Sequence, residues 1–286
     1  MKLNSSDKKQ FLSKIKKMAL ERNISPQILL QEVVLEDLLD RIAHSTYKDN
    51  LVLKGGFLIA SLIGTDTRST RDIDTSIIGL PVTKVDMQKV FEEICAIELP
   101  DDIIQLQITK LDDIREDDEY SGYRMHIKAK VYSSRVDIKV DISTGDVMTE
   151  RAIEYGHKLL LEDRTIQIMA YNVETIIAEK LETIVSRALL NTRLKDFYDL
   201  YLFDQKYSET IDYKLLKKAI YATANKRETT ENIGNFVTTI NILKNDANME
   251  KLWQAYQSKN SYASHIIFAD TCDAAIDLTK RSRIEA

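Results

Sequence analysis

The chain has 286 residues, of which 44% are hydrophobic and 30% charged, which excludes a low-complexity or fibrous protein and allows one large domain or two ordinary ones. Only 3 Pro and 8 Gly argue against long disordered linkers and against an all-β fold rich in tight turns. A formal net charge of −5 argues against a chain-wide nucleic-acid surface and leaves a local basic groove as the way to hold a polyanion.

In chain order, the polar segment from Met1 to Gln10 lacks the apolar core of a signal peptide. Ser5 or Ser6 can cap a helix with Phe11, Ile15 and Met18 on one stripe. Lys8, Lys9, Lys14, Lys16 and Lys17 on that helix are the kind of cluster a local basic groove would be built from, with a solvated helix face as the bland alternative. Ser25-Pro26 starts a second helix, which runs to about Ala43 with Leu29, Leu30, Val33, Val34, Leu38 and Leu39 at helical period. Leu51-Val52-Leu53 reads as a short strand ending in Lys54-Gly55-Gly56, and Phe57 to Ile63 as a helix. Arg71 to Ile78 reads as a strand and Val82 to Ala96 as a helix.

Ile103 to Leu111, Tyr123 to Tyr132 and Arg135 to Ile142 alternate as strands do, with a hairpin turn at Tyr132-Ser133-Ser134-Arg135. Asp112 to Gly122 is acidic and reads as a loop, and Thr165 to Met169 as a further short strand. After Asn172 the pattern is helical throughout: Val173 to Leu190, Phe197 to Phe203, Tyr213 to Ala222, Met249 to Gln257 and Ala263 to Arg281. A boundary near residue 165 therefore separates a mixed α/β core with N-terminal helices (1–165) from a helical domain (166–286). The two cysteines, Cys95 and Cys272, match no metal or redox spacing and are expected to be reduced and packed. No stretch approaches the ~20 apolar residues of a membrane span. The expectation is a cytoplasmic protein without a membrane partner.

Chemistry concentrates in three places. In Asp72-Ile73-Asp74, strand alternation sets both carboxylates on one face and Ile73 on the other. Adjacent same-face carboxylates repel unless a proton or cation lies between them, and Mg²⁺ is a hard cation that favours such oxygens and bridges substrate phosphates. A wet polar strand face gives the same pattern. A calcium loop does not fit, because the sixth position from Asp72 is Ile77 and the twelfth is Thr83. Upstream, Lys54-Gly55-Gly56 falls between a strand and a helix, where backbone N–H groups can approach a phosphate; it is not a P-loop. Downstream, Asp137-Ile138-Lys139-Val140-Asp141 alternates charged and β-branched residues. Asp141, with Asp137 as a further candidate, can therefore join Asp72 and Asp74 across a sheet. Three carboxylates suit a pair of Mg²⁺ ions, the third also suits a general base, and Lys139 can hold a triphosphate oxygen. A salt-bridged solvent face is the bland alternative for that strand.

Gly55-Gly56, the spacer 57–71, Asp72-Ile73-Asp74 and Lys139-Val140-Asp141 together resemble the opening motifs of the AbiEii/AbiGii nucleotidyltransferase toxins, the family that includes the MenT toxins. Gly56 stands where the general nucleotidyltransferase pattern has Ser, and the spacer is longer than in that pattern. Glu179-Lys180-Leu181-Glu182 with Arg187, followed by Lys195-Asp196-Phe197-Tyr198-Asp199-Leu200, resembles the family's A-E-K…R…R-D-x-Y-D-L stretch. The resemblance spans roughly residues 50 to 205.

It implies an α+β fold: a polymerase-β-like nucleotidyltransferase core, a mixed sheet flanked by helices, with a C-terminal helical bundle. It implies Asp72, Asp74 and Asp141 as catalytic metal ligands, with Lys180 and Asp196 at the family's third and fourth motifs. Lys54, Gly55, Gly56, Arg71, Lys139 and Arg187 become nucleotide-binding candidates. Lys180 and Arg187 are able to neutralise triphosphate charge, and Asp196 to orient Lys180 or accept a base or ribose hydrogen bond; a helix–helix salt-bridge network is the alternative. The implied protein is a toxin of a toxin–antitoxin or abortive phage infection pair. It would transfer a nucleoside monophosphate from an NTP, GTP among the candidates, to an acceptor such as a tRNA 3′ end, with Mg²⁺ as cofactor. A cognate antitoxin encoded nearby is implied, whether or not it touches the toxin. The competing readings are a catalytically silent nucleotide-binding or interaction module, and transfer to a protein.

Overall fold

The computed structural model describes residues 8–64, 72–81, 83–100, 103–114 and 122–284. The Ser5/Ser6 cap and Arg71 lie outside them. The described residues group into two compact units: those within 1–62, 69–146 and 153–170, and those within 63–68, 147–152 and 171–286.

The first unit is built on a seven-stranded sheet. Its strands are β1 (Leu51–Lys54), β2 (Asp72–Ile77), β3 (Ile104–Ile114), β4 (Gly122–Val131), β5 (Ser134–Thr144), β6 (Ile153–Lys158) and β7 (Thr165–Ala170), in the order β3-β4-β5-β2-β1-β7-β6. The sheet is mixed: β2–β5 and β1–β7 are parallel, and the remaining pairs are antiparallel. Among the described residues, four helices belong to this unit: α1 (Lys8–Glu21), α2 (Pro26–His44), α3 (Gly55–Ile63) and α4 (Lys84–Cys95). Ser25 caps α2 by accepting from the Ile28 N–H at 3.2 Å, with Pro26 in the first turn. The apolar stripe of α2 packs on β5 and β7, and Leu29, Val34, Leu35 and Leu38 are fully enclosed. Each such leucine contributes about 1.5–3 kcal/mol from burial.

Polar anchors fix α2 as well. Glu36 accepts from the Leu160 N–H at 2.9 Å and lies 2.9 Å from His157 Nε2, while His157 Nδ1 lies 2.7 Å from the Ser61 hydroxyl on α3. Burial raises the Glu36 carboxyl despite the opposing His157 contact. Arg164 pairs with both oxygens of Asp40, Nη1 standing 2.9 Å from Oδ1. His157 is thus held on both ring nitrogens by α2 and α3.

Two strand details depart from the sequence expectation. Asp112 to Ile114 extend β3 rather than forming a loop, because Lys110 at 2.7 Å and His126 at 3.0 Å neutralise Asp112 within the sheet. Edge strand β6 is absent from the sequence expectation. Most of it is polar and partly exposed, with only His157 fully buried, so its apolar alternation is weak.

The second unit is helical: α5 (Val173–Arg187), α6 (Leu194–Tyr207), α7 (Tyr213–Lys226), α8 (Phe236–Lys244), α9 (Ala247–Lys259) and α10 (Phe268–Ser282). Asn172 caps α5 by accepting from the Thr175 N–H at 2.8 Å. Trp253, Tyr198, Phe197, Phe203, Phe236 and Phe268 are buried within this unit. The unanticipated α8 carries Phe-Val-Thr-Thr-Ile-Asn-Ile, a run with more strand than helix propensity, and tertiary burial of Phe236, Ile240 and Leu243 overrides it. Among the described residues, no helix is long and apolar enough to cross a membrane.

Candidate active site

The site follows from the alternation and register of four strands. On β2, Ile73 is buried while Asp72 is exposed and Asp74 half-buried, so the two carboxylates share the open face. Parallel pairing puts Asp74 opposite Asp141 and Asp72 opposite Lys139. On the other side of β2, Asp74 pairs with Lys54 of β1. Beyond β5, Asp141 pairs with Arg124 of β4. A single cross-strand row therefore reads Lys54, Asp74, Asp141, Arg124: two acids between two bases. Neighbouring strands lie about 4.8 Å apart, so the acids are close enough to share one cation.

The turn into α3 closes on this row. The Gly56 N–H donates to Asp74 Oδ2 at 3.1 Å. Gly55 has φ +62°, and a Cβ there would meet Asp74 Oδ2 at 2.0 Å and Cγ at 2.5 Å. Only glycine lets the backbone come this near. Burial raises the Asp74 carboxyl above its ordinary value; the Gly56 N–H opposes the shift, and the charges of Asp141 and Asp72 add to it. The Lys54 charge also works against the shift.

Lys54 Nζ donates to Asp146 Oδ2 at 2.6 Å, and the Ser143 hydroxyl donates to the same carboxylate. Burial would raise the Asp146 carboxyl, but the Lys54 charge and these hydrogen bonds outweigh it and hold it below the usual range. Arg124 grips Asp141 bidentately, Nε to Oδ1 and Nη2 to Oδ2, each at 2.7 Å. Lys139 is exposed on the open face of β5, opposite Asp72, and so is Asp137, opposite Lys128.

In kind, the oxygens of Asp72, Asp74 and Asp141 suit a hard divalent cation. Their present arrangement is not a ready-made cluster: among the described residues, no group of three or more His, Cys, Asp or Glu side chains stands poised to hold a metal ion. Arg124 occupies both oxygens of Asp141 instead.

In the helical unit, the Lys180 ammonium lies 2.6 Å from Asp196 Oδ1 and 2.7 Å from Asp199 Oδ2, and Arg193 Nε lies 2.7 Å from Asp196 Oδ2. Burial opposes the ionisation of Asp196, yet Lys180 and then Arg193 lower its carboxyl to about 2. The sequence pair Lys180–Asp196 is therefore brought together as a buried bridge between α5 and α6, the arrangement expected of a helix–helix salt-bridge network. Arg187 ends α5 with an exposed side chain. Sequence reasoning passed over Arg124, Asp146, Ser143 and Arg193.

Two solved structures resemble the whole fold. One is a candidate nucleotidyltransferase of H. pylori, at 16% identity and TM-score 0.52, covering 92% of this chain and 96% of the other. The second is JHP933 from Helicobacter pylori, also at 16% identity and TM-score 0.52, covering 91% and 93%. Comparison with curated proteins returns no match. The model of the AbiEii family, described as "Nucleotidyl transferase AbiEii toxin, Type IV TA system", matches residues 37–276. That span takes in the glycine turn, all three strand carboxylates and the Lys180–Asp196 bridge, and by it the chain belongs to the AbiEii family of nucleotidyl transferase toxins.

Proposed function

We propose that the chain transfers a nucleoside monophosphate from an NTP, with GTP as first candidate, to the 3′ end of an RNA acceptor such as a tRNA, and that this arrests growth as part of abortive phage infection. The observation that carries the reading is the pairing of Asp74 with Asp141 beside the Gly55-Gly56 turn. In the reaction an acceptor hydroxyl oxygen bonds to the α-phosphorus, the bond to the β-phosphate oxygen breaks, and pyrophosphate leaves. Asp72, Asp74 and Asp141 would hold two Mg²⁺ ions, which supply charge neutralisation at the attacking and departing oxygens. Asp141 would also take the hydroxyl proton. Lys54, with Asp146 beside it, and Lys139 are the cations on the sheet face that suit the triphosphate. We assign the chemistry to a core over 1–165 and acceptor binding to a helical domain over 166–286.

An RNA acceptor gains support from the helical unit. A cavity of about 790 Å³ there is lined by Lys214, Lys217, Lys218, Arg281 and Arg283 with Tyr213 and Tyr221, and no acidic residue lines it among the described residues. The Arg281 guanidinium stacks 4.7 Å over the Tyr213 ring, and Tyr221 is 43% exposed. Interleaved cations and aromatic faces suit a single-stranded polyanion.

The test uses wild type and Asp74→Asn with each NTP labelled at the α-phosphate, Mg²⁺ and total tRNA. Label in tRNA only with wild type is expected, together with growth arrest on expression that Asp72→Ala or Asp74→Ala abolishes. Nucleotide binding without transfer would overturn the reading in favour of a silent module; label in protein would move the acceptor.

A further inference from the structure

The guanidinium of Arg124 has no role in the reading above, yet it holds the most exacting geometry of the site. The β4–β5 register sets it directly opposite Asp141. Its fork takes both carboxylate oxygens at 2.7 Å. Asp72 and Asp74 also lie within its field. The side chain is 38% exposed, so it is free to leave without unpacking the sheet. It stays charged at any working pH.

We propose that Arg124 is a positioning residue that serves as resident counter-cation of the carboxylate row, holding Asp141 in the metal-free protein and surrendering it to a divalent cation. Two consequences follow from charge alone. Arg124 and a metal ion compete for the same two oxygens, so the guanidinium lowers metal affinity while no nucleotide is present. Once displaced, the planar fork remains beside the row, where it matches the oxygens of a triphosphate. Arg124 therefore couples the two ligands: it delays the metal until a polyanion arrives to receive it. This inference rests on the metal reading of Asp72, Asp74 and Asp141.

The experiment measures direct Mn²⁺ binding, by the EPR signal of free ion, to nucleotide-free wild type, Arg124→Gln, Arg124→Lys and Asp74→Asn. The expected result is Mn²⁺ binding tightened roughly tenfold in Arg124→Gln, the scale of a single charge-assisted bidentate pair. Arg124→Lys should fall between, since an ammonium cannot fork. In the presence of Mn²⁺, Arg124→Gln should bind a fluorescent GTP more weakly than wild type. A residue that merely braced the sheet would not tighten metal binding when removed. Unchanged or weakened Mn²⁺ affinity in a folded Arg124→Gln protein overturns the proposal while Asp74→Asn still weakens binding. If Arg124→Gln fails to fold, Arg124→Lys decides, and wild-type Mn²⁺ affinity in that variant overturns the proposal. Mn²⁺ binding indifferent to Asp74→Asn would instead remove the metal reading, and this inference with it.

Discussion

Gly55 lies against Asp74 so closely that a Cβ built on it would stand 2.0 Å from Oδ2 and 2.7 Å from the Asp74 Cβ. The close approach lets the neighbouring Gly56 N–H reach that oxygen. Gly55→Ala meets two costs at once, the steric clash itself and a left-handed φ of +62°, the latter worth about 1–3 kcal/mol. Asp74 must turn away or the loop must move. We expect nucleotide transfer to fall by ~100-fold or more, the scale of an ångström-level misplacement. Thermal unfolding and single-turnover transfer check this together; an active Gly55→Ala protein would show that the glycine turn does not set Asp74.

Asp74 carries a charge that its surroundings disfavour. Burial, then the charges of Asp141 and Asp72, raise its carboxyl, with the Gly56 N–H working against them. The folded chain thus binds this proton more tightly than the unfolded chain. Stability from this group is complete at acid pH and declines as pH rises from the ordinary carboxylate range through the raised value. Asp74→Asn keeps an acceptor for Gly56 and discards the charge. It should melt above wild type at pH 7.5. The gap should close toward pH 4, and the variant should transfer no nucleotide. Millimolar Mg²⁺ should raise the melting temperature of wild type only. A variant that melts below wild type at neutral pH would contradict the charge argument.

How much of this was legible in the sequence depends on which interaction decided each feature. Same-face placement of Asp72 and Asp74 needs only strand alternation, and β2 obeys it. The pairing of Asp74 with Asp141 depends on β2 and β5 being neighbours in register, which no local pattern encodes. Arg124 is hidden by a turn. Expecting Tyr132 and Arg135 to pair would set His126 opposite Asp141. Instead Tyr132 adopts φ +52°, Val131 pairs with Ser134, and Arg124 faces Asp141. Moving the turn by one residue shifts the cross-strand partner by two, and with it the identity of the cation in the site. Asp146 is likewise invisible, because its value lies in a lysine ninety-two positions earlier in the chain.

The Lys180 bridge gives the opposite pH signature to Asp74. Asp196 is lowered to about 2 because Lys180 and Arg193 outweigh burial. Its stabilising contribution is present above the unfolded value of ~3.9 and is lost as pH falls from there toward 2. Asp196→Ala leaves the Lys180 ammonium, which is 11% exposed, facing Asp199 without its second carboxylate. Losing one of its two buried carboxylate partners costs less than the ~3–5 kcal/mol of leaving a buried charge wholly unpaired. Urea melts at pH 7 should show that loss, and the variant's stability should vary less between pH 4 and pH 2 than that of wild type. If Asp196→Ala is as stable as wild type at pH 7, the bridge is no structural tie between α5 and α6.

The basic cavity of the helical unit offers a separable prediction. Lys214 and Lys218 are on α7 and line it, and Lys218 pairs with the exposed Glu150 at 3.2 Å. Reversing both, Lys214→Glu with Lys218→Glu, replaces attraction to a phosphate backbone by repulsion without disturbing a buried side chain. Fold and GTP affinity should therefore stay at wild-type values, while affinity for tRNA drops by about tenfold at low salt. The dependence of log affinity on log salt should flatten by ~0.7 for each phosphate no longer neutralised. Tyr221→Ala should weaken RNA binding by about 1–3 kcal/mol if a base stacks on the ring, and that effect should persist at high salt because stacking is not screened. Filter binding over a salt series, run beside nucleotide titration, separates these contributions. Equal tRNA affinity and equal salt slope in the double variant would show that the acceptor never enters this cavity, leaving the carboxylate row to find its substrate by another surface.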